Sequence, residues 1–265
     1  MNVGVQFLRE HIIPEARIHY AITDTGGYSP NVVQPKAEVL YLMRAPTNRD
    51  VKEIYERVCD IARGAALMTG TQLDIRFIKA CSSIVHNCVL TDVLQKNMEA
   101  IPCPVFDEEE NAFAAELQAT FGKTMDSLDR YANCFDAAIK AQINSYRGKA
   151  FYDFVMPLHP VEGMMPASSD VGDASWCCPV AEISVATMAA RTSFHSWQLV
   201  AQGKSSFAHK GACYAGKVLA AAAVDLLEQP ELLKQAKAEH WKRIGEEKFI
   251  SPIPQEVQPF IPGRQ

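Results

Sequence analysis

Apolar residues recur along the first part of the chain with two spacings, one typical of helices and the other of strands. Pro14 ends the first helical pattern, and Gly70 ends a second one that begins at Thr47 or Asn48, either of which is suited to cap a helix. The predicted elements are a helix over residues 2–13, strands over 18–23 and 37–45 around the turn sequence TDTGGYSPN, a helix over 48–69, and an alternating strand over 71–80.

This order of elements predicts an α+β domain over residues 1–82. It would be a ferredoxin-like β-α-β-β-α-β unit if one more strand came first. The polar sequence CSSIVHN, at 81–87, marks the predicted boundary to a second region over residues 83–265.

The second region combines helical patterns with one buried, β-type apolar run. Residues 123–167 show weak periodicity and are interpreted as an insertion, with a helix near 128–143 and a strand near 151–156. The other predicted elements are helices over 90–100, 108–121, 211–227 and 231–246, and the apolar run over 183–188.

Charge and composition argue against two classes of function, nucleic-acid binding and membrane spanning. The chain has 265 residues and a net charge of −5, and no Lys/Arg-rich face appears, so a role in binding nucleic acid is not expected. No apolar run reaches the roughly 18 to 20 residues of a membrane span, and the start lacks a signal-peptide pattern, which favours a cytoplasmic protein without a membrane partner. The eight cysteines include no CxxC pair and are expected to be reduced, buried thiols.

Candidate chemistry concentrates in residues 168–211. Asp170 and Asp173 precede the apolar run, and His195 and His209 follow it, at a predicted change from strand to helix. A histidine at such a junction is either a metal ligand or a hydrogen-bonded interior residue. The acidic run at 107–110 is interpreted as the first turn of a helix rather than a metal site. GxSxG and phosphate-binding glycine motifs are absent from the sequence.

Four stretches carry a resemblance to a known family: ALMTG, IHYAITDTGGYSPNVVQPKAEVLYLMRAP, ASSDVGDASW and SFHSWQLVAQGKSSFAHKG. They resemble the zinc-dependent aminoacylase and carboxypeptidase family of amidohydrolases, over residues 1 to about 121 and from about 166 onward. The resemblance implies a lid that mediates dimerisation, here over residues 1–82. It also implies that residues 83–265 are the C-terminal part of a zinc-peptidase-type α/β catalytic domain, which holds two divalent ions, zinc or manganese.

The resemblance also implies roles for individual residues. Asn31 matches an asparagine that hydrogen-bonds substrate, and Arg44 matches the arginine that binds a substrate carboxylate. His195 matches the last metal ligand, while a structural or substrate-side role is expected for His209. Asp170 and Asp173 stand where many relatives have Glu-Asp-Phe, so they either orient His195 or cap a helix.

No catalytic residue is assigned to this chain. The family takes most of its ligands from an HxD motif and its base from a Glu-Glu pair, but none of the seven histidines here is followed two residues later by Asp. We therefore expect the amino-terminal half of the enzyme to be missing and the chain to be inactive alone.

Two functions remain open from the sequence. The first is part of a metal-dependent amidohydrolase that uses metal-activated water on aminobenzoyl-glutamate, an acyl amino acid or a dipeptide, in folate catabolism if aminobenzoyl-glutamate is the substrate. The alternative is a non-catalytic dimerisation or partner module. Either a homodimer through the lid or association with a sister subunit is expected.

Overall fold

The computed structural model describes residues 1–122, 128, 137–158 and 167–258. The predicted insertion at 123–167 and the predicted helix near 128–143 lie partly outside the described residues. The elements are α1 Asn2–Leu8, β1 Arg17–Asp24, β2 Glu38–Arg44, α2 Asn48–Thr69, α3 Cys88–Ala100, α4 Glu108–Ala119, α5 Ala137–Ser145, α6 Val171–Cys177, α7 Trp197–Gln202, α8 Ser206–Glu228 and α9 Pro230–Ile244.

This mixture of helices and a two-stranded sheet confirms the α+β character of the chain. The described residues divide into two compact units, one made of 1–84, 167–174 and 248–258, the other of 85–122, 128, 137–158 and 175–247. The ferredoxin-like arrangement remains a prediction. No helix within these ranges is long and apolar enough to cross a membrane.

The first unit is built on an antiparallel hairpin packed against two helices. β1 pairs with β2 in a register that places Arg17 opposite Arg44 and Tyr20 opposite Tyr41. One face of the hairpin contributes Ile18 to a core that it shares with α1 and α2. The buried residues of this core are Val5, Leu8, Ala16, Ile18, Ile54 and Val58.

Both ends of α2 confirm the predicted helix limits. The Thr47 hydroxyl accepts a hydrogen bond from the Asp50 N–H at 3.1 Å, which satisfies one free donor of the first turn. At the other end Gly70 has φ 66°, the left-handed conformation that commonly ends helices. The predicted strand over 71–80 does not form, since these residues pair with no other strand in the described part of the chain.

The second unit is built on the long, Ala-rich helix α8. Its residues Tyr214, Val218 and Ala222 pack against Val93 and Leu94 of α3. A second buried cluster joins α4 to the first turns of α8 and consists of Ala114, Phe151, Ala189, Phe207 and Ala208. Helix α8 begins at Ser206, with Ser205 as its cap, five residues earlier than the predicted start at Gly211.

Two other strand predictions were wrong within the described residues. Neither 151–156 nor 183–188 forms a strand, because neither stretch has a hydrogen-bonded neighbour there. Ile183 and Val185 nevertheless pack against the α3–α8 cluster, as the apolar pattern requires.

The cysteines within the described residues are free thiols, and most of them are exposed. Of those in the described residues, Cys59 is buried and Cys103 is partly buried, while Cys81, Cys88, Cys177, Cys178 and Cys213 are exposed. The prediction of buried thiols was wrong for these five, because they lie at helix ends, in loops or on outward helix faces.

Candidate functional site

The first unit brings Arg44 next to the ASSDVGD sequence. Arg44 is the last residue of β2, and its Nη2 donates a hydrogen bond to the Ser168 hydroxyl at 3.1 Å. Arg17 lies opposite Arg44 in the hairpin register, so two guanidinium groups belong to the same end of the sheet. Strand pairing thus places a second arginine at the end of the sheet where the resemblance implies a carboxylate-binding residue, although the Arg17 guanidinium itself donates to the carbonyls of Pro14 and Ala16.

Asp173 connects the start of α6 to the segment that follows α2. Its Oδ1 accepts a hydrogen bond from the Ser82 N–H at 3.0 Å, while Asn48 accepts one from the Ser83 N–H at 2.8 Å. A side chain on Gly172 would collide with the carbonyl oxygen of Ser82, so glycine is required at this contact. Asp173 therefore joins two chain segments that are distant in sequence.

Asp170 and Asn31 occupy exposed positions. Asp170 accepts a 3.4 Å hydrogen bond from the Ser169 hydroxyl, and Ser169 itself accepts from the Val171 N–H at the start of α6. Asn31 lies in the loop between β1 and β2, where its Oδ1 accepts a hydrogen bond from Ser29 at 2.6 Å. The role of Asp170 and Asp173 beside His195 stays a prediction, and so does the role of Asn31 in substrate binding.

In the second unit, His195 is exposed and lies in a turn just before α7. Its backbone has φ 59°, a left-handed conformation that costs energy for a residue with a side chain and is more often found at functional sites. The turn precedes Ser196, whose hydroxyl accepts a hydrogen bond from the Leu199 N–H at 3.2 Å and caps the helix. The expected strand-to-helix junction is therefore a turn-to-helix junction.

The Gln202 side chain binds residues just before the turn that carries His195, a role that was not predicted from the sequence. This side chain is fully buried, accepts a hydrogen bond from the Ala189 N–H at 2.6 Å and donates one to the Thr192 hydroxyl at 3.1 Å. Gln118 donates a further hydrogen bond to the Ala190 carbonyl at 3.1 Å. Residues 189–192 form no strand, and hydrogen bonds from these two side chains hold them in position.

His209 lies at an exposed position in the first turns of α8, and two other residues of these turns bind a buried carboxylate of α4. Glu110 accepts hydrogen bonds from Ser206 at 2.6 Å and from Lys210 at 2.6 Å, on either side of His209 in the helix. Burial tends to raise the pKa of Glu110, but these hydrogen bonds and one from the Asp107 N–H outweigh it and lower the pKa. The ion pair anchors the helix start that carries His209.

The acidic run at 107–110 forms the first turn of α4, as predicted. Asp107 and Glu110 make a reciprocal capping box, in which each side chain accepts from the other residue's N–H. The D-x-x-E spacing signals this box in the sequence. The burial of Glu110 and its pairing with Lys210, 100 positions away, have no comparable local signal.

The described residues do not fit a complete metal centre. A bound zinc ion normally has at least three protein ligands among Cys, His, Asp and Glu. Within the described ranges no three such residues are close enough to hold an ion, and His195 is exposed. His195 can serve only as one ligand in a larger set of donors.

Comparison with known proteins confirms the resemblance that the four motifs indicated. The chain is 43% identical over 261 residues, 98% of its length, to one of the subunits of p-aminobenzoyl-glutamate hydrolase from Escherichia coli (strain K12). It spans about half of that relative, 54%. No family model matches the sequence.

Two shorter similarities are to dipeptidases. Xaa-Arg dipeptidase of Mus musculus is 35% identical over 72 residues, which are 27% of this chain and 16% of the dipeptidase. The Homo sapiens protein of the same name is 31% identical over 73 residues, 28% of this chain and 16% of the relative. Each of these two similarities therefore covers about a quarter of this chain.

Proposed function

We propose that this chain forms part of a metal-dependent amidohydrolase that cleaves the amide bond of p-aminobenzoyl-glutamate or of a related N-acyl amino acid or dipeptide. The observation that carries the proposal is the 43% identity to the hydrolase relative along 98% of the chain. Because the chain spans about half of that relative, the activity is assigned to a larger assembly and we expect none from this chain alone.

Arg44 is the residue proposed to bind the substrate carboxylate. A planar guanidinium pairs with a carboxylate through two parallel hydrogen bonds, and the product glutamate carries such groups. The hydrogen bond to Ser168 orients Arg44, and the facing Arg17 adds positive charge at the same end of the hairpin. Asn31, in the loop that joins β1 to β2 at the other end of the hairpin, is proposed from the resemblance as a second hydrogen-bonding residue for the substrate.

His195 is proposed as one ligand of the divalent ions, zinc or manganese, that would activate the attacking water. The remaining ligands and the general base would come from outside this chain, since it has no HxD motif and no three donors meet in its described part. Asp170, Asp173 and His209 are proposed as supporting residues of the site. The first unit is proposed as a ferredoxin-like lid that joins two protomers, as a homodimer or with a sister subunit.

The experiment measures hydrolysis of p-aminobenzoyl-glutamate with added Zn²⁺ or Mn²⁺. We expect no turnover by the isolated chain, and turnover when it is mixed with a polypeptide equivalent to the unmatched part of the E. coli relative. In this mixture Arg44→Lys is expected to raise KM about tenfold to a hundredfold, because a lysine cannot make the paired contact. Arg49→Lys, an exposed arginine on α2, is the matched control and should leave KM unchanged.

Two results would overturn the proposal. The first is turnover by the isolated chain that is lost in His195→Ala, because the missing ligands would then not be needed. The second is a mixture that forms a complex but hydrolyses no amide of an acyl amino acid, dipeptide or aminobenzoyl-glutamate.

That second result would favour a non-catalytic dimerisation or partner module. The absence of a three-donor group from the described residues is the observation that keeps this function open. Light scattering tests it separately, since such a module must self-associate or bind a sister subunit, and a strictly monomeric chain without a partner would exclude it.

A further inference from the structure

Strand β2 carries apolar side chains on both of its faces. Tyr41 and Met43 pack against the core that the hairpin shares with α1 and α2. Leu40 and Leu42 alternate with them and so belong to the opposite face, where they are 43% and 44% exposed. An antiparallel sheet with one face on a core is normally polar on the other face. Two neighbouring leucines there are the pattern of a binding surface.

The pairing register adds two residues of β1 to this face. His19 lies opposite Leu42, and Ala21 lies opposite Leu40. Residues directly opposite each other in an antiparallel pair are neighbours on one face, with Cβ atoms about 5 Å apart. These four exposed residues therefore form one mainly apolar surface, which we call the hairpin surface.

The hairpin surface adjoins Arg44, the residue proposed to bind the substrate carboxylate. Arg44 follows Leu42 by two positions on β2, so the two side chains stand on the same face, about 7 Å apart along the strand. The hydrogen bond to the Ser168 hydroxyl at 3.1 Å orients Arg44. Because an arginine side chain is longer than a leucine side chain and both stand roughly perpendicular to the sheet, a ligand bound at Arg44 has room to extend over Leu42.

The extent of the hairpin surface suits a small molecule. Arg44 borders it at one end, and the Thr23 hydroxyl, which donates to the Glu38 carboxylate at 2.7 Å, borders it at the other. A specific protein–protein interface covers roughly 800 Å² on each partner, from about 20 to 30 residues. Four residues between two polar borders are too few for such an interface and enough for one or two rings.

We infer that the hairpin surface binds the acyl group of the substrate and makes the enzyme favour amides of aromatic acids. In an extended N-acyl amino acid, the α-carboxylate carbon lies about 5 Å from the first carbon beyond the amide carbonyl. A carboxylate bound at Arg44 therefore places the ring of an aromatic acyl group over Leu42. The ring is rigid and apolar, so it covers the leucines with little loss of conformational entropy. The inference rests on the proposed function, which assigns the carboxylate to Arg44.

The experiment compares hydrolysis of p-aminobenzoyl-glutamate and N-acetylglutamate, which share the glutamate and differ in the ring. The enzyme is the chain mixed with a polypeptide equivalent to the unmatched part of the E. coli relative. Leu42→Ala is expected to lower kcat/KM about tenfold more for p-aminobenzoyl-glutamate than for N-acetylglutamate. Leu67→Ala, at an exposed leucine of α2 in the same unit, is the matched control and should leave the ratio of the two kcat/KM values unchanged.

A longer substrate tests the direction of the acyl group along β2. The acyl group of 4-phenylbenzoyl-glutamate has a second ring in line with the first, which extends toward Leu40. Leu40→Ala is therefore expected to lower kcat/KM about fivefold more for this substrate than for p-aminobenzoyl-glutamate. Equal effects on the two substrates would show that the acyl group does not follow β2, and the inference would be wrong.

Equal losses for p-aminobenzoyl-glutamate and N-acetylglutamate in Leu42→Ala also overturn the inference, because a lost contact between protomers or weaker folding affects both substrates alike. No loss for either substrate overturns it as well. A mixture that hydrolyses p-aminobenzoyl-glutamate with unchanged selectivity in Leu42→Ala refutes only the hairpin surface, and the proposed function stands.

If the mixture hydrolyses neither amide, calorimetric titration with the same two compounds still tests the surface. We expect p-aminobenzoyl-glutamate to bind about tenfold more tightly than N-acetylglutamate, and Leu42→Ala to remove this difference. That result would refute the proposed function and support the hairpin surface. Equal binding of the two compounds, or no binding, would overturn the inference.

Discussion

Glu239 accepts three hydrogen bonds at the start of α3. The N–H groups of Cys88 and Val89 donate to its two carboxylate oxygens at 3.0 and 3.1 Å, and Arg243 donates at 2.8 Å. Burial tends to raise the pKa of Glu239, but these donors lower it to about 2. The carboxylate therefore satisfies free donors of the α3 first turn and adds negative charge where the helix dipole favours it.

We predict that Glu239 makes the second unit sensitive to acid. Its pKa in the folded chain, about 2, lies below the ordinary value of 4.5, so its contribution is complete above about pH 4.5 and is lost as the pH falls toward 2. The contribution is at most roughly 3 kcal/mol. Glu239→Gln should lower the free energy of unfolding at pH 7 and flatten its fall below pH 4.5, as measured by urea unfolding at a series of pH values.

Glu231→Gln is the matched control, since Glu231 lies on the same helix and pairs with Lys234 at an exposed position. Exposed pairs of this kind contribute little, so this variant should keep the original pH profile. Parallel pH profiles for Glu239→Gln and the original chain would contradict the assigned role of Glu239.

Helix α8 contains two glycines in opposite surroundings. Gly211 faces the Ala186 carbonyl, whereas a side chain on Gly216 would meet no atom within 4 Å. Gly211→Ala is expected to destabilise the chain by about 1 to 3 kcal/mol, because α8 and the backbone at Ala186 must move apart. Gly216→Ala should instead stabilise it by about 0.5 to 1 kcal/mol, because alanine favours the helix. Thermal unfolding of both variants measures the difference, and equal shifts would rule out the close contact.

The limits of α2 and the start of α4 could be predicted from the sequence because their causes are local, whereas the start of α8 was placed five residues too late. The Thr47 cap, the left-handed Gly70 and the Asp107–Glu110 capping box each involve residues within a few positions of one another. Strands were predicted less well, because a strand exists only when a second one pairs with it. The hairpin of β1 and β2 has its partner nearby, while 71–80 and 183–188 have the right pattern and no partner in the described residues.

In the candidate site, too, features with local causes could be predicted and features that depend on distant residues could not. Arg44 was predicted to lie at the end of a strand, and it is the last residue of β2. Its hydrogen-bond partner Ser168 lies 124 positions away and could not be predicted from the sequence. Gln202, whose amide holds the turn before His195, gave no signal because a glutamine in a helix is ordinary in sequence. Long-range polar contacts of this kind become visible only in the folded chain.

The proposed hydrolase would bring together metal-binding donors that do not meet within the described residues of this chain. His195 is an exposed imidazole, and a single imidazole binds zinc weakly, because tight sites combine at least three protein ligands. We predict that the isolated chain binds no Zn²⁺ with a dissociation constant below roughly the micromolar range. Mixed with a polypeptide equivalent to the unmatched part of the E. coli relative, it should bind zinc tightly, as measured by calorimetric titration.

His195→Ala should then weaken zinc binding by the mixture at least tenfold, whereas His209→Ala should not, if His195 is the ligand that the resemblance implies. The two histidines are a matched pair, since both are exposed and belong to the second unit. If His209→Ala weakens zinc binding and His195→Ala does not, the ligand is His209. This residue lies in the first turns of α8, which the Glu110–Lys210 ion pair anchors. Tight binding by the isolated chain would show that it holds a complete site, and the division of ligands between two polypeptides would be wrong.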